Sequence, residues 1–315
     1  MSANTKWIED IGPESSVEHA ARRSLEPRLT AVAHLMPMAA HLAEHDIEHV
    51  HRLRVATRRA TAALKLYWDC LPRSRRWMKK RLRKIRRAAG DARDLDVLAD
   101  RLASDYGEAV APVIDLIAGD RTAVQPAILR VVEKCRKRDR FVRKTAKLLR
   151  GIDVPKPPSD SNRELLFRDW APKQFAKVAG EFTSATPNKS SDTVALHNFR
   201  IRSKALRYAI ELVSPAFGPE LRDDLYPTIE KLQERLGKIQ DHVAAIERCQ
   251  KWAAASRSEI LRETLRELSD AEQRGLTDSI QSFHGWWDED RISHVCSLLQ
   301  SQTNITPCPP PAHQT

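Results

Sequence analysis

Apolar residues return every three or four positions along nearly the whole chain, and no sustained stretch alternates apolar and polar as a half-buried strand would. The pattern predicts helices over residues 15–44, 47–71, 74–106, 109–118, 122–150, 161–184, 193–214, 218–255, 257–284 and 288–300. Two segments interrupt it. Gly151–Asp160, GIDVPKPPSD, cannot continue a helix, because proline lacks the amide donor and its ring clashes with the preceding turn. Thr306–Thr315, TPCPPPAHQT, reads as extended and mobile. The expected fold class is therefore all-α. A first helical unit at 15–150, a linker at 151–160 and a second unit at 161–300 are followed by a mobile Pro-rich tail at 301–315.

Sequences on either side of the linker show a divergent internal repeat. Asp46–Arg59, DIEHVHRLRVATRR, matches Asp192–Ala205, DTVALHNFRIRSKA, so that Asp46 pairs with Asp192, His51 with His197, Arg54 with Arg200, Val55 with Ile201 and Arg58 with Lys204. After a slip of one residue, Gly90–Leu98, GDARDLDVL, matches Gly237–Ala245, GKIQDHVAA. Gly90 then pairs with Gly237, Asp94 with Asp241 and Lys84 with Lys231. Two related helical bundles facing each other about a pseudo-twofold axis are expected.

Charge changes this picture from architecture to chemistry. The 315 residues include 53 Lys/Arg against 42 Asp/Glu, a formal charge of +11, with a pI of about 9.6. Hydrophobic residues at 41%, charged residues at 30% and only 10 glycines argue against disorder, collagen-like repeats and turn-dense β folds. The excess is concentrated. Residues 51–101 hold 17 Lys/Arg and 5 Asp/Glu and residues 121–150 hold 11 and 2, so these segments carry +21 and the remainder −10. Neighbouring cations add their potentials, whereas scattered ones are screened within about 8–10 Å, so a polyanionic partner is indicated.

At about 100° per residue, His51, Arg54 and Arg58 fall within a sector of about 60°, with Arg59 beside them, and His197, Arg200, Lys204 and Arg207 within about 80°. Asp46 and Asp192 are expected N-caps of these two helices. Further stripes run through Lys231, Arg235, Lys238 and His242, and through Arg76, Lys80, Lys84 and Arg87 alongside Lys79, Arg83 and Arg86. For either unit alone, an exposed stripe pairing with acidic neighbours is an adequate reading. Persistence of basic character at equivalent positions favours anion binding. The run Arg136, Lys137 and Arg138 has no counterpart of this kind and reads as a solvated face.

Asp91, Asp94 and Asp96 in DARDLD suggest an aspartate-rich metal site, but the second unit keeps only Asp241 and the closing Glu of an EF-hand loop is missing. A carboxylate that orients a neighbouring arginine is the preferred reading. His45-Asp46 has no convincing His and Asp partners for metal phosphohydrolase chemistry, and GxxxxGK[ST], HExxH and GxSxG are absent. No cofactor is expected. Cys70, Cys135, Cys249, Cys296 and Cys308 are odd in number and never spaced as CxxC, which fits a reducing compartment without a thiolate metal site. The N-terminal MSANTKWIEDIG lacks a basic region followed by an apolar stretch, and the most apolar window, Thr30–Ala43, is interrupted by His34, Pro37 and His41. A cytoplasmic protein without a membrane partner is expected.

HVHRLRVATRR (49–59), GDARDLDVL (90–98) and LHNFRIRSKALRY (196–208) closely resemble the CHAD family, the conserved-histidine α-helical domains, and the resemblance spans about residues 15–300. It implies two four-helix bundles related by pseudo-twofold symmetry around a basic central cavity that binds inorganic polyphosphate, and an association with polyphosphate granules. Some members of that family are fused to a triphosphatase domain of the CYTH type; no acidic ExExK signature of such a β-barrel is visible here. By motif, His51, Arg54, Arg58 and Arg59 take the family's first basic stripe, and His197, Arg200 and Lys204 the second. The second unit departs at Lys204, Ala205 and Gln240, which stand where the first has Arg58, Arg59 and Arg93, so the first unit is expected to contribute more affinity.

The expected function is non-catalytic binding of inorganic polyphosphate by His51, Arg54, Arg58, Arg59, Lys80, Lys84, Arg87, His197, Arg200, Lys204, Arg207, Lys231, Arg235 and Lys238. A helical nucleic-acid-binding protein is the alternative; the scarcity of aromatics among the basic stripes and the lack of a reading motif weigh against it. A metal-dependent phosphate-processing enzyme is the third reading, and the least supported.

Overall fold

A computed structural model describes residues 6–154, 164–187 and 191–303. They form an all-α protein of ten α-helices; among the described residues the one β-type pairing is an isolated antiparallel bridge between Ser16 and Leu166. The chain divides into two compact units, Met1–Trp170 and Ala171–Thr315.

In the first unit, α1 (Val17–His41), α2 (Glu48–Leu66), α3 (Arg75–Tyr106) and α4 (Ala111–Arg136) pack in a ring, each against the next and α4 back on α1. The packing follows from the apolar spacing. Along α3, Met78, Leu82, Ile85, Ala89, Ala92 and Leu95 are buried at intervals of three and four residues. α5 (Arg140–Arg150) lies against α1. The beginning of α6 (Phe167–Thr183) is also held here: the Phe167 amide donates to Ser15 O at 2.8 Å, and the Trp170 ring stacks on buried Tyr67 at 4.9 Å. These contacts place the division at Trp170, beyond the Pro-rich segment, of which residues 155–160 lie outside the described residues.

The second unit contains the rest of α6, α7 (Thr193–Val213), α8 (Tyr226–Ala255), α9 (Glu259–Trp286) and α10 (Glu289–Thr303). α8 packs between α7 and α9. Phe182 of α6 meets Phe199 of α7 at 5.1 Å between ring centroids, and Phe199 meets Trp287 at 5.8 Å, an aromatic cluster at the heart of the unit. α10 reaches Thr303, inside the segment expected as tail, and Thr306–Thr315 lies outside the described residues.

Two expectations about helix boundaries fail. The predicted break at residues 119–121 does not occur, because α4 runs straight through Gly119, an exposed position that a helix tolerates. The predicted continuous helix 122–150 breaks instead at Lys137–Asp139, where Arg138 and Asp139 take left-handed φ values of 53° and 51°. The cause is a change of phase in the apolar stripe. Ile128, Val132 and Cys135 line the buried side of α4, but on an unbroken helix Phe141, Thr145 and Leu148 would point roughly 200–260° away from Ile128. Only a bend lets both stripes reach the core.

Glycine has opposite effects at two positions. Gly107 closes α3 at a φ of 58°, which L side chains avoid, whereas a Cβ at Gly119 would meet no atom within 4 Å. Gly107→Ala should destabilise by about 1–2 kcal/mol, and Gly119→Ala should stabilise by about 0.5–1 kcal/mol through helix propensity. Urea unfolding of both variants checks this; shifts of the same sign would contradict the assignment.

Candidate functional site

The two histidine helices begin similarly but not identically. Asp192 is the N-cap of α7, its Oδ1 accepting from the Val194 amide at 2.9 Å as expected. α2 is instead entered through Ile47 without a side-chain cap, and Asp46, one residue before it, accepts from the Glu48 amide at 2.8 Å. One face of each helix is then fixed by packing: Val50, Leu53 and Thr57 are buried on α2, and Leu196, Phe199 and Ser203 on α7. The hydroxyl of Thr57 bonds to Arg54 O at 2.8 Å, and that of Ser203 to Arg200 O at 2.9 Å.

The paired arginines share a seat as well. Arg54 Nη1 donates to Gly90 O at 3.0 Å and to Asp94 Oδ1 at 2.7 Å. A Cβ built on Gly90 would lie 3.5 Å from Arg54 Nη1, and one built on Gly237 would lie 3.5 Å from Arg200 Nη2. Each guanidinium therefore rests across the glycine of the following long helix. Asp94 orients Arg54, and Asp96 turns into the α3–α4 contact to accept from Arg121 Nε at 2.7 Å. Burial raises the Asp96 carboxyl above its usual range, with Arg121 opposing. Among the described residues no three His, Cys, Asp or Glu side chains gather as metal ligands would.

The histidines differ. His51 is half-buried beside Arg93, and burial first, then Arg93 and behind it Arg58 and Arg54, hold its pKa below the ordinary 6.5 while Glu48 pulls the other way. His197 is exposed, and its Nδ1 donates to Gln240 Oε1. Gln240 occupies the position that pairs with Arg93.

The remaining predicted cations separate into two groups. Lys80, Lys84 and Arg87 on α3 and Lys231 and Lys238 on α8 are exposed and make no ion pair among the described residues. Arg58, Arg59, Arg200 and Lys204 are half-buried. Two arginines are engaged inside their own unit. Arg207 reaches Glu230 at 3.4 Å, and Arg235 donates to Ser282 Oγ at 3.1 Å while lying 5.0 Å from the Trp286 ring centroid. Each unit thus has an arginine of the predicted set in an ion pair, Arg54 with Asp94 and Arg207 with Glu230, and keeps exposed cations without an acidic partner among the described residues.

Sequence reasoning missed one surface. Arg140, Arg143, Lys144, Lys147 and Arg150 line an open groove of about 650 Å³ along α5, whose opposite side buries Phe141, Leu148 and Leu149. Spacing at i, i+3, i+4, i+7 and i+10 against that apolar stripe is the signal that identifies it. Two tryptophans near the start of α3 already carry cations over their rings: Arg75 and Lys79 lie 4.9 and 5.0 Å from the Trp68 centroid, and Arg81 and Arg140 lie 5.3 and 5.7 Å from that of Trp77. Burial pushes the Cys70 and Cys135 thiols up to about 11, away from thiolate chemistry. Cys249 and Cys296 are also buried, and Cys308 lies outside the described residues.

An all-α chain with basic faces on its histidine-bearing helices is the class these features define. The CHAD domain model matches residues 29–250, and the chain belongs to that family. No curated protein matches it. Among solved structures, it is similar to the CHAD domain from the plant Ricinus communis, with a TM-score of 0.67 and 18% identity over 94% of this chain and 96% of that one. It is also similar to PptA from Streptomyces chartreusis, with a TM-score of 0.53 and 17% identity over 85% of this chain and all of that one. At such identities the likeness establishes the fold alone.

A depressed His51 pKa has a definite sign. The unfolded chain takes up this proton before the folded one, so the contribution of His51 to stability is full above the ordinary value of 6.5 and is lost as pH falls from there through the lower folded-state value. NMR titration of the free protein should give a His51 midpoint below 6.5, and His51→Gln should reduce the stability lost between about pH 7.5 and 5.5. A midpoint at or above the ordinary value would contradict the environment described.

Proposed function

We propose that the chain binds inorganic polyphosphate without transforming it. The observation that carries this reading is the exposed row of Lys80, Lys84 and Arg87, cations without acidic partners among the described residues, on the helix whose Asp94 anchors Arg54. Family membership supports it. Polyphosphate carries dense charge and no bases, so it requires a track of donors directed at phosphoryl oxygens and no stacking platform. Arginine supplies forked donors and lysine a mobile point charge.

His51, Arg54, Arg58 and Arg59 of α2, with the α3 row, make the stronger track. His197, Arg200, Lys204, Lys231 and Lys238 make the weaker, while Arg207 and Arg235 position their helices more than they meet ligand. A nucleic-acid partner fits less well, since a base could stack on Trp68 or Trp77 only by displacing the cations over them. Among the described residues no helix is long and apolar enough to cross a membrane. Cytoplasmic location, with association to polyphosphate granules, belongs to the same proposal.

Lys80→Ala with Lys84→Ala should weaken binding of long-chain polyphosphate about tenfold. Lys251→Ala with Arg257→Ala, which removes the same charge from exposed positions elsewhere, should cost less than about threefold. Binding of the parent protein should fall steeply between about 50 and 200 mM salt, as counterion release requires for a polyanion. Equal losses in the two double variants would mean that net charge alone governs binding. Incubation with magnesium or manganese should release no phosphate from polyphosphate, ATP or triphosphate, and turnover abolished by Asp94→Ala would overturn the non-catalytic reading.

A further inference from the structure

We infer that the groove along α5 is a second contact surface for a linear polyphosphate chain, separate from the α2–α3 track, so that long chains are held at two places on the first unit. The inference rests on the polyphosphate reading above and extends it to residues outside the repeated stripes.

The orientation of α5 is fixed from its other side. Phe141, Thr145, Leu148 and Leu149 are buried, which forces the five cations of α5 into an arc of about 120° facing outward. The bend adds Lys137 and Arg138 to the same groove, making its lining entirely cationic. Lys137 and Arg138 are exposed, as the solvated-face reading expects, and the left-handed turn at Arg138 and Asp139 places them in the groove with the cations of α5. None of the seven lining residues makes an ion pair among the described residues, so the groove holds uncompensated charge that a bound anion would relieve.

Shape and spacing select among anions. Cations recur about every turn, 5.4 Å, along a helix of about 15 Å, which suits a chain charged at every unit better than a compact anion that meets one turn. An anionic membrane is disfavoured, because the apolar side that would enter the lipid is already buried in the protein and Val142 alone is exposed among the large apolar residues of α5. Nucleic acid is disfavoured because Trp77, the aromatic ring at Arg140, carries both Arg140 and Arg81, and Phe141 is buried.

The two surfaces are also connected. On α3, Arg54 contacts Gly90 and Asp94, while Trp77 meets Phe141 of α5 at 6.4 Å between centroids. By helical phase, Lys80 and Lys84 lie on the exposed arc between those two contacts. A chain engaged at α2–α3 can therefore continue over α3 to α5, and the second engagement is intramolecular.

Lysine acetylation of the full chain, read by mass spectrometry with and without polyphosphate of about 100 phosphates, tests the assignment together with binding by the Arg143→Ala/Lys147→Ala variant, whose folding is checked by circular dichroism. Long polyphosphate should slow labelling of Lys137 and Lys144 at least about fivefold, and the variant should lose about tenfold in affinity for long polyphosphate but less than twofold for tripolyphosphate. Protection of Lys80 and Lys84 with unchanged labelling of Lys137 and Lys144 would overturn the α5 assignment and leave the proposed function standing. Equal losses for long and short phosphates would also overturn it. Failure of the parent protein to bind long polyphosphate would overturn both readings, and stronger protection by single-stranded RNA of matched charge would assign the groove to nucleic acid instead.

Discussion

Burial of one apolar arc on each basic helix is the constraint from which the rest follows. α3 must keep Leu82, Ile85 and Ala89 inside the bundle, and α5 must keep Phe141 and Leu148 there. Most charged residues of these two helices are then held in the remaining arc, at helical spacing, with Asp96 buried in the α3–α4 contact as an exception. Like charges so arranged repel one another, and solvent screens this only within about a Debye length. A polyanion that lies along the row relieves that repulsion and displaces its own counterions, so folding and binding draw on the same arrangement.

The repeated arginines show how little apparatus this needs. Arg54 and Arg200 each lie across a glycine of the following long helix, their carbonyls each accept from a buried hydroxyl, and an aspartate bonds to a first-turn amide of each helix. These contacts set the rotation of α2 and α7 about their own axes. Rotation in turn decides which cations face outward. The units then diverge: Lys80, Lys84 and Arg87 are exposed without acidic partners among the described residues, whereas Arg207 is drawn to Glu230 and Arg235 to Ser282 and Trp286.

The helical class and the Asp192 cap were legible in the sequence because each depends on local spacing. An aspartate of the DARDLD segment orienting an arginine was expected, but that arginine, Arg54, lies 40 residues from Asp94 and only the fold brings them together. The bend at Arg138 was legible in principle, since the apolar stripe changes phase between Cys135 and Phe141. Arg207 and Arg235 could not be read as engaged, because their partners Glu230 and Ser282 lie 23 and 47 residues away in the chain. The α5 groove was hidden for a related reason. Its cations were visible as a charge block, but their common face appears only once α5 is separated from α4.

The account stands on cations that recognise phosphate charge and take no information from bases. Equilibrium competition between long-chain polyphosphate and single-stranded RNA of matched charge, at about 150 mM salt, tests it most directly. Polyphosphate should displace RNA from the protein at stoichiometric phosphate, while RNA should fail to displace polyphosphate. Displacement of polyphosphate by RNA, or equal competition between them, would contradict the claim and make this a general or nucleic-acid-directed basic surface.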